Sequence, residues 1–536
     1  MKYIYGLMIG AAIALSGCSS DLLDIQNPNE ATTGTFWKTA EQAEAGINAC
    51  YSSLYKEGTW MRWLSFRYDL TSDEGWSTSP WLELGDWTRF GYNNYNFYEG
   101  NVVHWECFYR GIFRCNQVLG KVPDIQMDET QKNRILAQAQ FMRALWYFQI
   151  NLLWEKGVLL TETVGPDYVP EEATEAQIWE QIEKDLKAAQ QYLPESWDAA
   201  NAGRPTLGAA KALLGKAYMQ QLKYNEAKSE FKWLIDKEAT GLYGLIDNWV
   251  DNFTDRDENN KEGIFEIQFS DLNKGGTGND ASMAFGFQRT QFYAPGGNAG
   301  VGWGDGKARR WLVDEYLKEK RADGKNDLRL YNSILYKGFA NDFPDQSKKY
   351  YKQADASQWF DEWGQGKDDC YIRKYSTSYY RDREDYFAPN NYRIMRYADI
   401  LLNYAECIVM TGGTPAEAAK YVDEVRERAG LKKLSESEYI QKNFPDCLAS
   451  KEGFMNRLEI ERTLELCFEG WRWADLKRWG VLDDQSKIDL IATYRDPDFK
   501  NFVVGKHRRL PIPTKEVDIS KETPVSTPKL PQNPGY

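Results

Sequence analysis

Residues Thr206–Asp236, TLGAAKALLGKAYMQQLKYNEAKSEFKWLID, decide how the rest of the chain is read. Two helical periodicities stand back to back there, separated by a short polar break near Lys223. The first gathers Ala209, Ala210, Ala212, Gly215 and Ala217, small residues that let another backbone approach closely. The second spaces Ala227, Phe231, Leu234 and Ile235 into one apolar stripe. Leu214, Gly215, Tyr218, Ala227 and Phe231 fall on the L-G-x-x-Y…A-x-x-x-F skeleton of a tetratricopeptide hairpin. Lys211 stands where that pattern has Trp, and the closing Pro is missing; an ordinary helical hairpin is the plainer alternative. Either way a lone hairpin cannot bury both faces, so other helical pairs have to stack on it.

Outward from the hairpin the helical period continues on both sides. Helices are expected over Ala40–Tyr55, Val102–Leu119, Asp128–Leu153, Ile394–Met410, Thr414–Ala429 and Gly453–Trp479. Thr174 with Gln177, and Thr414 with Glu417, have capping-box spacing. Between these blocks, over 241–391, the period fades. Phe265, Ile267 and Phe269 alternate as in a short strand, Asn273–Gly306 is rich in Gly and Asn, and Trp359, Phe360 and Trp363 crowd together. A second irregular stretch, Trp60–Trp105, sets Trp60, Trp63, Trp76, Trp81, Trp87 and Trp105 among Gly, Asn, Ser and Asp. The expectation is a mainly α fold. A tetratricopeptide-like helical-pair scaffold over about 38–240 and 392–480 carries a loop-rich lobe with short strands, 241–391 plus the loop 60–100. The Pro-rich end, 510–536, is expected to run extended over the surface.

Composition narrows the function. Hydrophobic residues at 42% suffice for a large core, while the 27% charged fraction excludes a multi-span membrane protein. A net charge of −13 argues against nucleic acid as a partner. Only His104 and His507 are present, which excludes histidine-rich metal sites. Met1–Gly17, with Lys2 and an apolar run over Ile4–Leu15, reads as a secretory signal too short to span a bilayer. It ends in Leu15-Ser16-Gly17-Cys18, which resembles a bacterial lipobox. The Cys18 thiol is then the lipid attachment point, and 18–536 is read as one mature domain. Seven cysteines remain, an odd number with no CxxC, so buried free thiols are expected.

Six stretches together resemble the SusD/RagB family, surface glycan-binding lipoproteins of Bacteroidetes. They are DIQNPNEATTGTF (24–36), RALWYF (143–148), RYADILLNYAEC (396–407), VDEVRERAGL (422–431), ERTLELCFEGWRWADLKRWG (461–480) and the close, LPIP (510–513) with QNPGY (532–536). The resemblance implies a tetratricopeptide-like scaffold, a ligand site on the irregular lobe and an outer-membrane location. It also implies a SusC-like TonB-dependent transporter as partner, with the lipoprotein as its hinged lid. Arg143, Arg396 and Arg472 within these motifs are expected to pair with carboxylates or carbonyls between helices.

Glycan binding needs flat aromatic faces for sugar C–H groups and planar polar groups for hydroxyls. Asp73, Trp76 and Trp81 supply that vocabulary in one loop; Gln291, Tyr293, Asn298 and Trp303 supply it in another. For each indole, core packing is the alternative. Adjacent carboxylates such as Asp73-Glu74 do not establish the separation that glycoside hydrolysis needs, and no G-x-S-x-G, HExxH or P-loop occurs, so no enzyme is expected. Asp255, Asp257, Asn259 and Glu266 fall on positions 1, 3, 5 and 12 of a calcium loop, with Asn260 in place of its glycine; a solvated acidic loop is the alternative. The expected function is capture of a glycan and its delivery to the transporter. A tetratricopeptide lipoprotein scaffolding protein or peptide partners in outer-membrane assembly is the second reading.

Overall fold

The computed structural model describes residues 36–92, 102–272, 285–297, 300–346, 349–351, 354–355, 366 and 368–536. The leader, Cys18, Asn298, Trp359, Phe360 and Trp363 lie outside the described residues.

The hairpin forms as two helices, Leu207–Gln220 and Tyr224–Asp236. Thr206 caps the first by accepting the Ala209 N–H. Gly215 is required by close approach, because a Cβ there would lie 2.4 Å from the Phe231 ring. The Gly and the Phe of the motif are therefore two sides of one contact. Lys211 donates to Gln190 at 3.0 Å and to Glu230 at 3.2 Å, tying the hairpin to the end of the preceding helix.

The stack runs through Val103–Lys121, Glu129–Trp154, Glu175–Ala189 and the hairpin, each helix packing on the next, with Ala40–Tyr51 against the first two. Both capping boxes are made. After Asp236 the chain leaves the stack. It returns as Tyr397–Met410, which lies directly against Tyr224–Asp236 and pairs with Pro415–Arg428; Lys451–Leu466 packs on both. Helices far apart in sequence are thus consecutive in space, and 241–391 is an excursion from a continuous stack.

The helix expected over Gly453–Trp479 is two, Lys451–Leu466 and Arg472–Arg478. Phe468 and Gly470 break it with φ of 62° and 81°. The break lets side chains on either side of it converge on shared interior partners. Arg396 is held by Glu465 at 2.6 Å and Glu469 at 2.7 Å, Arg462 by Asp399 at 3.0 Å and Asp475 at 2.8 Å. Arg143 meets Asp185 at 2.7 Å in the same manner. Interior charges persist only when paired. Burial disfavours an ionised Glu465, yet Arg428, Arg396 and Arg329 outweigh it and hold its pKa far below the usual range.

The excursion leaves and re-enters through one antiparallel pair, Gly263–Ile267 with Tyr392–Arg396. Phe265 meets Phe141 edge-on at 4.9 Å. The expected short strand forms, and its other side is covered too, with Arg393 neutralising the buried Glu266 at 3.0 Å. A second sheet, in the order Gly75–Trp76, Lys307–Ala308, Cys370–Ile372, Ile334–Leu335, is antiparallel throughout. It fastens the tryptophan-rich loop to the lobe. That loop is more regular than its composition suggests, forming helices Trp63–Thr71 and Leu82–Thr88. Trp60, Trp63, Trp87 and Trp105 are interior, packed on other rings such as Trp146 and Trp154.

The Pro-rich end is also more anchored than expected. It includes a helix, Thr514–Ile519, and buries Ile512 and Leu530 completely. The Trp154 indole donates to the Pro511 carbonyl at 3.0 Å, and Asn533 donates to the Trp154 and Leu510 carbonyls, sealing the tail to the end of Glu129–Trp154. The seven described cysteines are buried, and no disulfide joins them.

Candidate functional site

Two of the residues expected to meet ligand lie in the interior. Asp73 is fully buried, accepting from Arg472 at 2.6 and 2.7 Å and from Arg495 at 3.1 Å. Tyr293 stacks on Phe66 at 4.7 Å and donates its hydroxyl to Asp69 at 2.9 Å. Both are corrected to structural roles, because their polar atoms are taken and no face is open. Trp76 is half-buried, its indole donating to the Ala308 carbonyl at 3.1 Å beside Lys307 and Arg309. The calcium-loop residues do not assemble either. Glu266 is held by Arg393 and Asn391, Asp255 accepts the Tyr379 hydroxyl, and Asn259 takes the left-handed turn with φ 55°. Among the described residues no group of three or more His, Cys, Asp and Glu is placed to hold a metal ion.

Trp81 and Trp303 behave differently. They are 36% and 46% exposed, and both border one cluster. Ser77, Ser79 and Trp81 climb as a chain of serine turns, with Ser79 N–H to Ser77 Oγ at 3.0 Å and Trp81 N–H to Ser79 Oγ at 3.2 Å. Trp81 then leads into the Leu82–Thr88 helix, its ring 5.4 Å from Trp63. Trp303 is set by backbone strapping: its N–H donates to the Gln291 carbonyl at 2.9 Å, and Asp305 N–H to Phe292 at 2.8 Å. Gly296 permits this, since a Cβ would come within 2.3 Å of the Trp303 carbonyl. The Trp303 ring stands edge-on to Phe292 at 4.9 Å and to Tyr386 at 5.5 Å.

Arg62 joins the two sides. Its guanidinium lies 4.1 Å from the Trp63 ring centre, 4.2 Å from Phe292 and 5.4 Å from Trp81. Asp305, only 5% exposed, has one carboxylate oxygen without a partner among the described residues. Burial raises its pKa, offset in part by Ser79 and Arg62. The result is two partly exposed indoles and the half-buried Tyr386 ring at the edge of one aromatic cluster, with the buried Asp305 near Ser79 and Arg62. That set suits a ligand with apolar faces and hydroxyl edges.

A family model described as "SusD family" matches residues 261–536. The chain belongs to the SusD family. A second model, described as "Starch-binding associating with outer membrane", matches residues 21–219 and supports association with the outer membrane. SusD-like protein P2 of Formosa agariphila is 25% identical over 98% of both chains. A SusD superfamily protein of Bacteroides vulgatus matches with a TM-score of 0.77 and 25% identity, covering 94% of this chain and 100% of that one. A laminarin binding SusD-like protein matches with a TM-score of 0.71 and 26% identity, covering 93% and 100%.

In this SusD-family chain, sequence reading missed Arg62, Asp305 and Tyr386. Arg62 had a signal, a lone cation inside the aromatic run Trp60–Phe66. Asp305 had a weaker one, standing between glycines just after Trp303. Tyr386 had none, because its approach to Trp303 depends on the returning limb of the lobe.

Proposed function

We propose that this protein is a cell-surface glycan-binding lipoprotein, anchored through Cys18, that captures an oligo- or polysaccharide and passes it to a SusC-like TonB-dependent transporter. The reading rests on one observation above all: Trp81 and Trp303 present open faces around a shared Arg62–Phe292 core, with Asp305 beside them. A sugar ring laid on either indole buries its C–H face and keeps its hydroxyls at the rim. Binding and handover occur without bond cleavage. Family membership and the laminarin-binding relative make β-glucans the first ligands to try. The test is affinity electrophoresis of mature protein (18–536) through a panel of soluble polysaccharides, followed by co-purification from outer membranes. Retardation by at least one glycan and recovery with a TonB-dependent transporter are expected. Turnover of the glycan, or recovery with assembly machinery instead, would contradict the reading.

A further inference from the structure

A separate cleft of about 630 Å³ opens on the lobe, lined in part by Tyr331, Arg373, Tyr375, Ser378, Tyr379 and Arg256. None of these side chains belongs to the Trp81–Trp303 cluster, and the volume is in the range of small-ligand sites. Arg373 lies 4.3 Å from the Tyr331 ring centre and donates to the Tyr331 carbonyl at 2.9 Å. Arg256 lies 4.2 Å from the Tyr379 ring centre. Among the described residues neither guanidinium has a carboxylate within ion-pairing distance, whereas Arg381, Arg393 and Arg396 all do. Asp255, beside Arg256, is engaged by the Tyr379 hydroxyl. Stacking on tyrosine holds each guanidinium in place while leaving donors for a planar anion.

Two further features mark the cleft as built. Tyr375 is 1% exposed, and its hydroxyl has no partner among the described residues. Its backbone takes φ 69°, a left-handed conformation unfavourable for a bulky residue. Such strain, maintained by the surroundings, concentrates at ligand sites.

We infer that this cleft is a second saccharide site, selective for acidic sugars that carry a carboxylate or a sulfate ester. It rests on the glycan-binding reading above for the ligand class, but on different residues. The anionic group meets Arg256 and Arg373, and the sugar hydroxyls meet Ser378. In a chain of net charge −13, such a locally cationic cleft discriminates against neutral glycans by charge.

The experiment is calorimetric titration of mature protein with tetragalacturonate, a chondroitin 4-sulfate tetrasaccharide and neutral laminarihexaose. Each is titrated into wild type, Arg256→Gln and the Trp81→Ala/Trp303→Ala double variant. Arg256 is exposed, so its replacement is expected to leave the melting temperature unchanged. Binding of at least one acidic probe is expected, weakened about tenfold by Arg256→Gln and by high salt, and unaffected by the double variant. The probe that binds tells carboxylate from sulfate. No binding of either acidic probe, equal binding by Arg256→Gln, or loss in the double variant would overturn the inference. Acidic binding here, with no neutral glycan of the polysaccharide panel retarded, would remove the Trp81–Trp303 reading and leave this one standing.

Discussion

Replacing Asp73 by Asn tests whether this residue is a strut. The substitution keeps the shape of the side chain and removes the charge that faces Arg472 and Arg495. Burial alone would raise the Asp73 pKa, but the two guanidiniums outweigh it and hold the carboxyl at about 2. That depression from the ordinary value corresponds to about 2.5 kcal/mol of stability. Removing one partner from a buried pair costs about 3–5 kcal/mol when the other charge is left alone. Here Glu459 still meets Arg472 at 2.9 Å and Arg495 at 2.6 Å, so the loss falls near the lower figure. The expected destabilisation at pH 7 is about 3 kcal/mol, read from urea unfolding followed by tryptophan fluorescence. The sign of the pH dependence follows from a depressed carboxylate. Its stabilisation is complete above the unfolded pKa and lost as pH falls towards about 2, so the gap between wild type and variant should shrink over that interval. Folded variant should keep its glycan affinity. Equal stability of the two proteins, or intact stability with abolished binding, would refute the assignment and return Asp73 to the ligand site.

Three other outcomes are expected. Gly215→Ala should cost about 1–3 kcal/mol, because the new Cβ meets the Phe231 ring at 2.4 Å, and Phe231→Leu should recover part of it; unfolding midpoints of the single and double variants decide this. Burial and a neighbouring carboxylate raise both Glu258 and Glu424 to about 7. A raised carboxylate keeps its proton in the fold, so stability should decline as pH rises from about 4.5 to 7, and Glu424→Gln should flatten part of that decline in urea titrations. Trp303→Ala should weaken glycan binding: with 46% of the residue exposed, a sugar covering one ring face removes roughly 60 Å², worth about 1.5 kcal/mol or about tenfold in affinity.

What could be read from the residues was mostly local. The Gly215–Phe231 contact, the capping boxes and the helical pairs arise from spacings of a few positions, so the fold class was legible. The breaks were less so, because Phe468 and Gly470 turn the chain where Glu465 and Glu469 converge on one guanidinium, Arg396, supplied from elsewhere in the sequence. Asp73 shows the limit. An acid beside an indole reads as a sugar contact, and nothing in its own loop announces Arg472, distant in the chain, as its partner. Trp63 and Trp81 illustrate the same point, since similar surroundings in sequence produce a buried ring and an open one. Trp63 is enclosed by Phe66, Trp87, Phe292 and Arg62, whereas Trp81 lies at the edge of the same cluster, against Trp63 and Arg62.

The most direct measurement is affinity electrophoresis of mature wild type beside the Trp81→Ala/Trp303→Ala double variant through the same polysaccharide panel. The account predicts that at least one glycan retards the wild type and that the folded double variant migrates as though no glycan were present. Equal retardation of both proteins, or retardation of neither, would contradict it.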